Sequence, residues 1–271
     1  MPGEQTELGP SRGPAWLAIL APRGWAHFFL QVALLGSFTF VYALTGIYGR
    51  HEAAGAIRNA RGLAGFERTI GVYWEHGVQN WVLRGPHLLL DVANRTYFLC
   101  QFVVSTIFLV WVYARRNSRF TRVRNAILAA NFVSLIVLFL YPLAPPREVP
   151  GSGFVDTLGA NGVNLQSSVI DALNNPYSAM PSLHVSYAVV LGIAGFALTR
   201  RRWAKLLWAL YPALVAYSVI ASGNHFVLDV AAGALALLAT PVVDWASSRF
   251  ARRERSRLTL REWANPEREA A

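Results

Sequence analysis

Long apolar runs separated by short arginine-rich stretches organise this chain. A helix needs about 20 mostly apolar residues to cross a bilayer. Runs at 26–48, 95–114, 125–142, 180–199, 204–222 and 225–246 meet or approach that length, and the pattern predicts six spans. Segment 50–94 reads differently. Arg50, Arg58, Arg61, Arg68, Arg84, Glu52, Glu67 and Glu75 are mixed with Trp74, Trp81 and Leu88 to Leu90, which predicts an amphipathic helix lying on the membrane interface. Residues 143–179 carry no apolar run. Pro142, Pro145, Pro146 and Pro150 stiffen the start of this stretch, and Gly151, Gly153, Gly159 and Gly162 loosen its middle, so a long lid-like loop is expected. The expected fold class is all-α: a polytopic membrane protein with a six-transmembrane-helix bundle and an interfacial amphipathic helix. The expected organisation is a disordered tail over 1–24, one membrane-embedded domain over 25–248 and a basic cytoplasmic tail over 249–271.

Composition agrees with this reading. Hydrophobic residues make up 54% of the 271 and charged residues only 15%, against roughly 25% charged in an average soluble domain. The net charge of +10 does not point to nucleic acid. The arginines gather in clusters between apolar runs, and no folded basic face is left to follow a phosphate backbone. Residues 1–14 are polar and rich in Pro and Gly, unlike a cleaved signal peptide. A single cysteine, Cys100, excludes an internal disulfide and a multi-cysteine metal site.

Arginine placement predicts orientation. Arg115, Arg116, Arg119, Arg122 and Arg124 follow the second run, Arg200 to Arg202 and Lys205 the fourth, and Arg249, Arg252, Arg253, Arg255 and Arg257 the sixth. These clusters alternate correctly for a cytoplasmic side. The 143–179 loop has only Arg147 as a base and falls on the other side. The expected location is a multi-pass protein of the plasma membrane, with its site on the extracytoplasmic face.

Two histidines stand at matching places on that face. His184, in Pro181-Ser182-Leu183-His184, opens the fourth run, and His225, in Gly223-Asn224-His225-Phe226, opens the sixth. His225 and Asp229, four residues apart, are expected on one face of a helix. A carboxylate there would fix the imidazole tautomer and stabilise the cation formed on attack, which suits a histidine nucleophile. His184 is placed to act as acid and then base. Pro181 and Ser182 suit a helix start, where free N–H groups favour phosphate. Arg147 could grip phosphate oxygens in a fork. Taken singly, these residues have plainer readings: a polar contact between helices, an interfacial histidine, a snorkelling arginine. Ionisable groups at a membrane span favour function. His27, His51, His76 and His87 show no such spacing and read as interfacial or structural.

The Pro-Ser-x-His and His-x-x-x-Asp phrases resemble the second and third motifs of the type-2 phosphatidic acid phosphatase superfamily. Tyr141-Pro142-Leu143-Ala144-Pro145-Pro146-Arg147, Ala179-Met180-Pro181-Ser182-Leu183-His184 and Gly223-Asn224-His225-Phe226 are similar to the branch related to inositol phosphorylceramide synthases. Trp74-Glu75 and the Asn94 to Tyr97 region add to this, and the likeness covers about residues 70–245. It implies a metal-independent lipid phosphatase or phosphotransferase that needs no cofactor. His225 would be the nucleophile, Asp229 its orienting group and His184 the acid/base. Arg147 and Ser182 would hold phosphate oxygens. The partners would be a lipid phosphate and water or an alcohol acceptor. Two family cations are replaced: Leu140 stands at the first-motif Lys and Val219 at the third-motif Arg, and Glu148 follows Arg147 in place of Pro. Asn224, Ser222, Arg147 or backbone N–H groups would take over that work, which favours a singly charged phosphodiester over a dianionic monoester. Readings from other classes are a bis-histidine haem protein and a non-catalytic transporter or scaffold. Histidines at helix mouths rather than at depth count against the first, and retention of both histidines, Asp229 and Ser182 counts against the second.

Overall fold

The computed structural model describes residues 21–49, 52–160 and 175–249. Its described residues are helical apart from connecting segments, so the all-α reading holds. In chain order the helices are α1 (Trp25–Gly49), α2 (Ala53–Thr69), α3 (Glu75–Arg84), α4 (His87–Arg115), α5 (Asn117–Leu140), α6 (Leu183–Leu198), α7 (Arg202–Ala221) and α8 (Val227–Arg249). Five of them, α1, α4, α5, α7 and α8, are long and apolar enough to cross a membrane. The sixth expected span is α6, an apolar helix of 16 residues, about 24 Å long at 1.5 Å per residue. Of the expected N-terminal tail only 21–24 is described, and the C-terminal tail beyond Arg249 lies outside the described residues.

Two helix starts differ from the expected ones, for a common reason. Helix α4 begins at His87 rather than 95, because its polar residues have partners. Ala93 and Asn94 are buried, and the Asn94 side chain exchanges hydrogen bonds with Thr157. Helix α5 begins at Asn117 rather than 125. Phe120, Val123 and Ile127 turn inward at helical spacing while Arg119 and Arg122 stay exposed. Arg124 and Asn125 then tie α5 to Gln31 of α1 and Asp244 of α8, the last contact being 2.6 Å. Within α4, Leu99–Val104 forms a π-helical turn, and Ser105 and Tyr211 both donate to the Cys100 carbonyl.

Segment 50–94 is divided among α2, α3 and the start of α4 rather than forming one helix. Helices α2 and α3 each turn a face into the protein. Ala56, Ala60, Leu63 and Ala64 form a small-residue stripe on α2 that packs against Leu143, Ala144, Val149, Ala179 and Phe226. Glycine allows the tightest contact in the bundle. A Cβ on Gly195 of α6 would lie 2.3 Å from the Trp208 ring of α7, and one on Gly192 would lie 2.8 Å from Pro212. That pairing, with a connection of three residues, runs α6 and α7 antiparallel. The starts of α6 and α8 therefore share one end of the bundle.

Candidate active site

Four segments converge at that end. Ser182 is the N-cap of α6, its Oγ accepting from Val185 N–H at 3.5 Å. Its own N–H donates to the Asp229 carbonyl at 3.1 Å. Helix α8 can come this close because residue 233 is glycine: a Cβ there would sit 2.5 Å from the Ser182 carbonyl oxygen. Ser186 Oγ fastens the same contact by donating to the Gly233 carbonyl at 2.7 Å. Asp229 and Ser182 are both fully buried.

His225 and Asp229 meet, but not as two residues on one helix face. Helix α8 starts at Val227, with Phe226 as N-cap. His225 therefore lies in the turn before the helix and Asp229 in its first turn. Asp229 Oδ2 accepts the Phe226 N–H at 3.0 Å, bending the carboxylate back over the helix start. From there it faces His225, with Nδ1 to Oδ2 at 3.6 Å. That is an ion-pair distance, longer than a hydrogen bond. The His225 N–H and the Asn224 N–H both donate to the Val219 carbonyl, at 3.2 and 3.1 Å. Gly223, at φ +70, makes the turn possible.

The His184 and His225 rings meet edge-on, with centroids 6.0 Å apart and planes at 63°, and Tyr97 of α4 stacks on His184 at 4.2 Å. Arg147 reaches the same turn from the 143–160 segment, where its N–H donates to the Gly223 carbonyl at 3.1 Å. Its guanidinium contacts Glu148 at 3.4 Å and Asp156 at 3.8 Å, while Nη1 is buried without a hydrogen-bond partner among the described residues. Asn224 Nδ2 donates to Ser222 Oγ at 2.7 Å, so these two residues satisfy each other beneath His225. All the predicted site residues are thus brought together. The two replaced positions behave differently. Leu140 is 78% exposed at the end of α5, whereas the Val219 side chain is buried among Cys100, Val185, Ala188 and Val215.

Three contributors are not among the predicted site residues. Gln79 of α3 pairs with the backbone of Val155 in both directions, at 2.9 Å each, and donates to the Ala221 carbonyl, which clamps the loop over the Gly223 turn. Tyr97 supplies the stack. Glu67 of α2 accepts the Leu228 N–H at 2.7 Å. Only Glu67 left a sequence signal beyond the likeness itself, since it continues the Ala56, Ala60, Leu63 stripe at helical spacing. His27, by contrast, bonds Tyr113 at 2.9 Å far from this end, His76 packs on Phe154, and His51 lies outside the described residues.

The sequence profile of the PAP2 superfamily matches residues 61–243, which contain Glu67, Gln79, Tyr97 and every predicted site residue. The chain belongs to the PAP2 superfamily. A relative is the phosphoinositol dihydroceramide synthase of Bacteroides thetaiotaomicron, 24% identical over 157 residues. The alignment covers 53% of this chain and 52% of the relative, so the chain spans about half the length of the curated relative it matches. No solved structure matches. A PAP2 protein with these helices is a membrane protein of a family that handles lipid phosphates.

Proposed function

We propose that this protein cleaves a lipid phosphate ester through a phospho-histidine on His225 and passes the phospho-headgroup to water or an alcohol. The observation that carries the reading is the close pair of His184 and His225, 6.0 Å between centroids, with Asp229 behind His225 and the Arg147 backbone bonded to the Gly223 turn. Asp229 faces Nδ1 and leaves Nε2 for attack. The 3.6 Å contact is of the kind that tightens when substrate binds. Nε2 attacks phosphorus, the P–O ester bond breaks, and His184 gives its proton to the leaving alkoxide. His184 then takes the proton of water or alcohol, whose oxygen attacks phosphorus and releases His225. Arg147 Nη1, unpartnered, and the Ser182 hydroxyl hold phosphate oxygens, and Asn224 and Ser222 support the turn. No metal takes part in this scheme.

In this reading α6, the shorter helix packed against α7, is a sixth span, and the site lies at one membrane face. The arginine clusters support a face outside the cytoplasm; the reading is a plasma-membrane protein with 25–248 acting as one catalytic domain. A cavity of about 250 Å³ lined by Val133, Val137, Met180, Pro181, Leu235 and neighbouring alanines suits a lipid chain. Arg147 as a cation beside the site turn, and the relative's name, favour a phosphodiester carrying an inositol-phosphate-like headgroup.

The test is a panel of phosphatidic acid, polyprenyl diphosphate and phosphatidylinositol, with released headgroup followed. Free phosphate identifies a phosphatase, and a new lipid formed only with an added alcohol identifies a transferase. Turnover of phosphatidic acid far above any phosphodiester contradicts the headgroup assignment. Absence of turnover on the whole panel, with or without acceptor, favours the transporter or scaffold reading.

A further inference from the structure

Asp156 stands at the surface, yet the residues on both sides of it are pinned by buried amides. Gln79 of α3 donates to the Val155 carbonyl and accepts the Val155 N–H, both at 2.9 Å. Asn94 of α4 donates to the Thr157 carbonyl at 3.1 Å and accepts the Thr157 hydroxyl at 3.0 Å. Two paired contacts, one residue before and one after, leave Asp156 little freedom. Its carboxylate has two uses. Oδ1 caps the helical turn Thr157–Ala160, accepting the Leu158 and Gly159 N–H groups at 3.1 and 3.2 Å. Oδ2 faces Arg147 Nε at 3.8 Å.

Arg147 is therefore a shared cation. Nε faces Asp156, Nη2 contacts Glu148 at 3.4 Å, and Nη1 has no hydrogen-bond partner among the described residues. Leu140 and Val219, where the related motifs carry cations, add no positive charge. A phosphate held by Nη1 meets one guanidinium with two carboxylates beside it. Repulsion from a fixed carboxylate grows with the charge of the substrate, so two charges on a phosphomonoester are disfavoured more than one on a phosphodiester.

We propose that Asp156 is a specificity-determining residue: its carboxylate, fixed beside Arg147 by Gln79 and Asn94, biases the phosphate site toward a singly charged phosphodiester and against a dianionic phosphomonoester. Asp156 does not touch the reacting atoms, and it lies outside both histidine motifs. The proposal rests on the reading of Arg147 as the phosphate-binding cation and names a residue behind the headgroup class.

The experiment measures kcat/KM on phosphatidic acid and phosphatidylinositol of matched chains, in wild type and Asp156→Asn. The pH is 8, above the second phosphate ionisation near about 6. Asparagine is isosteric and still caps the turn, so the substitution removes the charge and keeps the loop. The expected result is a melting midpoint close to wild type and a phosphatidic acid to phosphatidylinositol ratio raised by about 3- to 10-fold, the worth of one partly exposed charge. A purely structural role would lower both substrates equally. No gain of phosphatidic acid turnover relative to phosphatidylinositol overturns the proposal. Should Asp156→Asn not fold, Asp156→Ser, another uncharged cap, is read in its place. Wild type that prefers phosphatidic acid overturns the proposal and the headgroup assignment while leaving the histidine chemistry standing. Should wild type turn over neither lipid, the function reading fails alone, and the affinities for the same two lipids are compared. The same relative gain for phosphatidic acid then supports the proposal; an unchanged ratio, or no binding of either lipid to wild type, overturns it.

Discussion

Asp229 Oδ2 lies 3.6 Å from His225 Nδ1 while accepting the N–H of Phe226 between them at 3.0 Å. One carboxylate therefore starts the helix and faces the imidazole. The two duties separate by substitution. Asp229→Asn keeps an oxygen for Phe226 but removes the charge that stabilises an imidazolium. The expected outcome is a fold and melting midpoint close to wild type with turnover lower by about 10²–10⁴-fold. Turnover within a few-fold of wild type in a quantitative lipid assay contradicts this role.

His184→Asn is expected to lose activity by about 10²–10⁴-fold on lipids with poor leaving groups. A substrate with a good leaving group, such as a nitrophenyl phosphodiester, needs less protonation and regains part of the rate. Equal losses on both substrates would show that His184 does not supply the proton.

Arg147→Gln is expected to lower kcat/KM by about 10- to 100-fold, the worth of about 1.5–3 kcal/mol for hydrogen bonds to a charged group. Arg147→Lys restores charge but not the fork and recovers only part. Full recovery with lysine would mean that charge alone is needed.

Gly233→Ala places a methyl 2.5 Å from the Ser182 carbonyl and must push α6 and α8 apart. A loss of about 1–3 kcal/mol is expected, read as a lower melting midpoint in detergent together with lower turnover. Gly36→Ala in α1, with open space around it, leaves both unchanged.

The stability of the folded protein carries a pH signature from Glu67. The folded chain keeps that proton up to about 9, whereas an unperturbed carboxyl releases it near 4.5. Between those values the folded state binds more protons than the unfolded one, so stability from this group is fully present at the acid end and declines as pH rises. Unfolding midpoints from pH 5 to 10 should show the decline in wild type and a flatter curve in Glu67→Gln.

The helices were legible because apolar runs of membrane length leave little choice of structure, and the site was legible because its histidines open two of those runs. What escaped was what depends on tertiary partners. The arginines of 119–124 read as a turn, yet Phe120, Val123 and Ile127 bury one face and carry the helix through them. His225 read as helical, but Asp229 takes the Phe226 N–H and leaves the histidine in the turn. Glu67 binds a backbone N–H 161 residues away, a contact that no local pattern encodes. The absence of a cation at Val219 also gained a physical sense, since that side chain is packed among apolar groups while its carbonyl receives the His225 N–H.

Trapping the covalent intermediate tests the central claim most directly. The protein is mixed with a phosphodiester lipid labelled in its headgroup phosphate, quenched in alkali within one turnover, digested and analysed by mass spectrometry. The account predicts an acid-labile, alkali-stable phosphoryl-headgroup adduct on His225, absent from His225→Ala, which also loses turnover while staying folded. Turnover retained by His225→Ala, or a labelled residue other than His225, would contradict it.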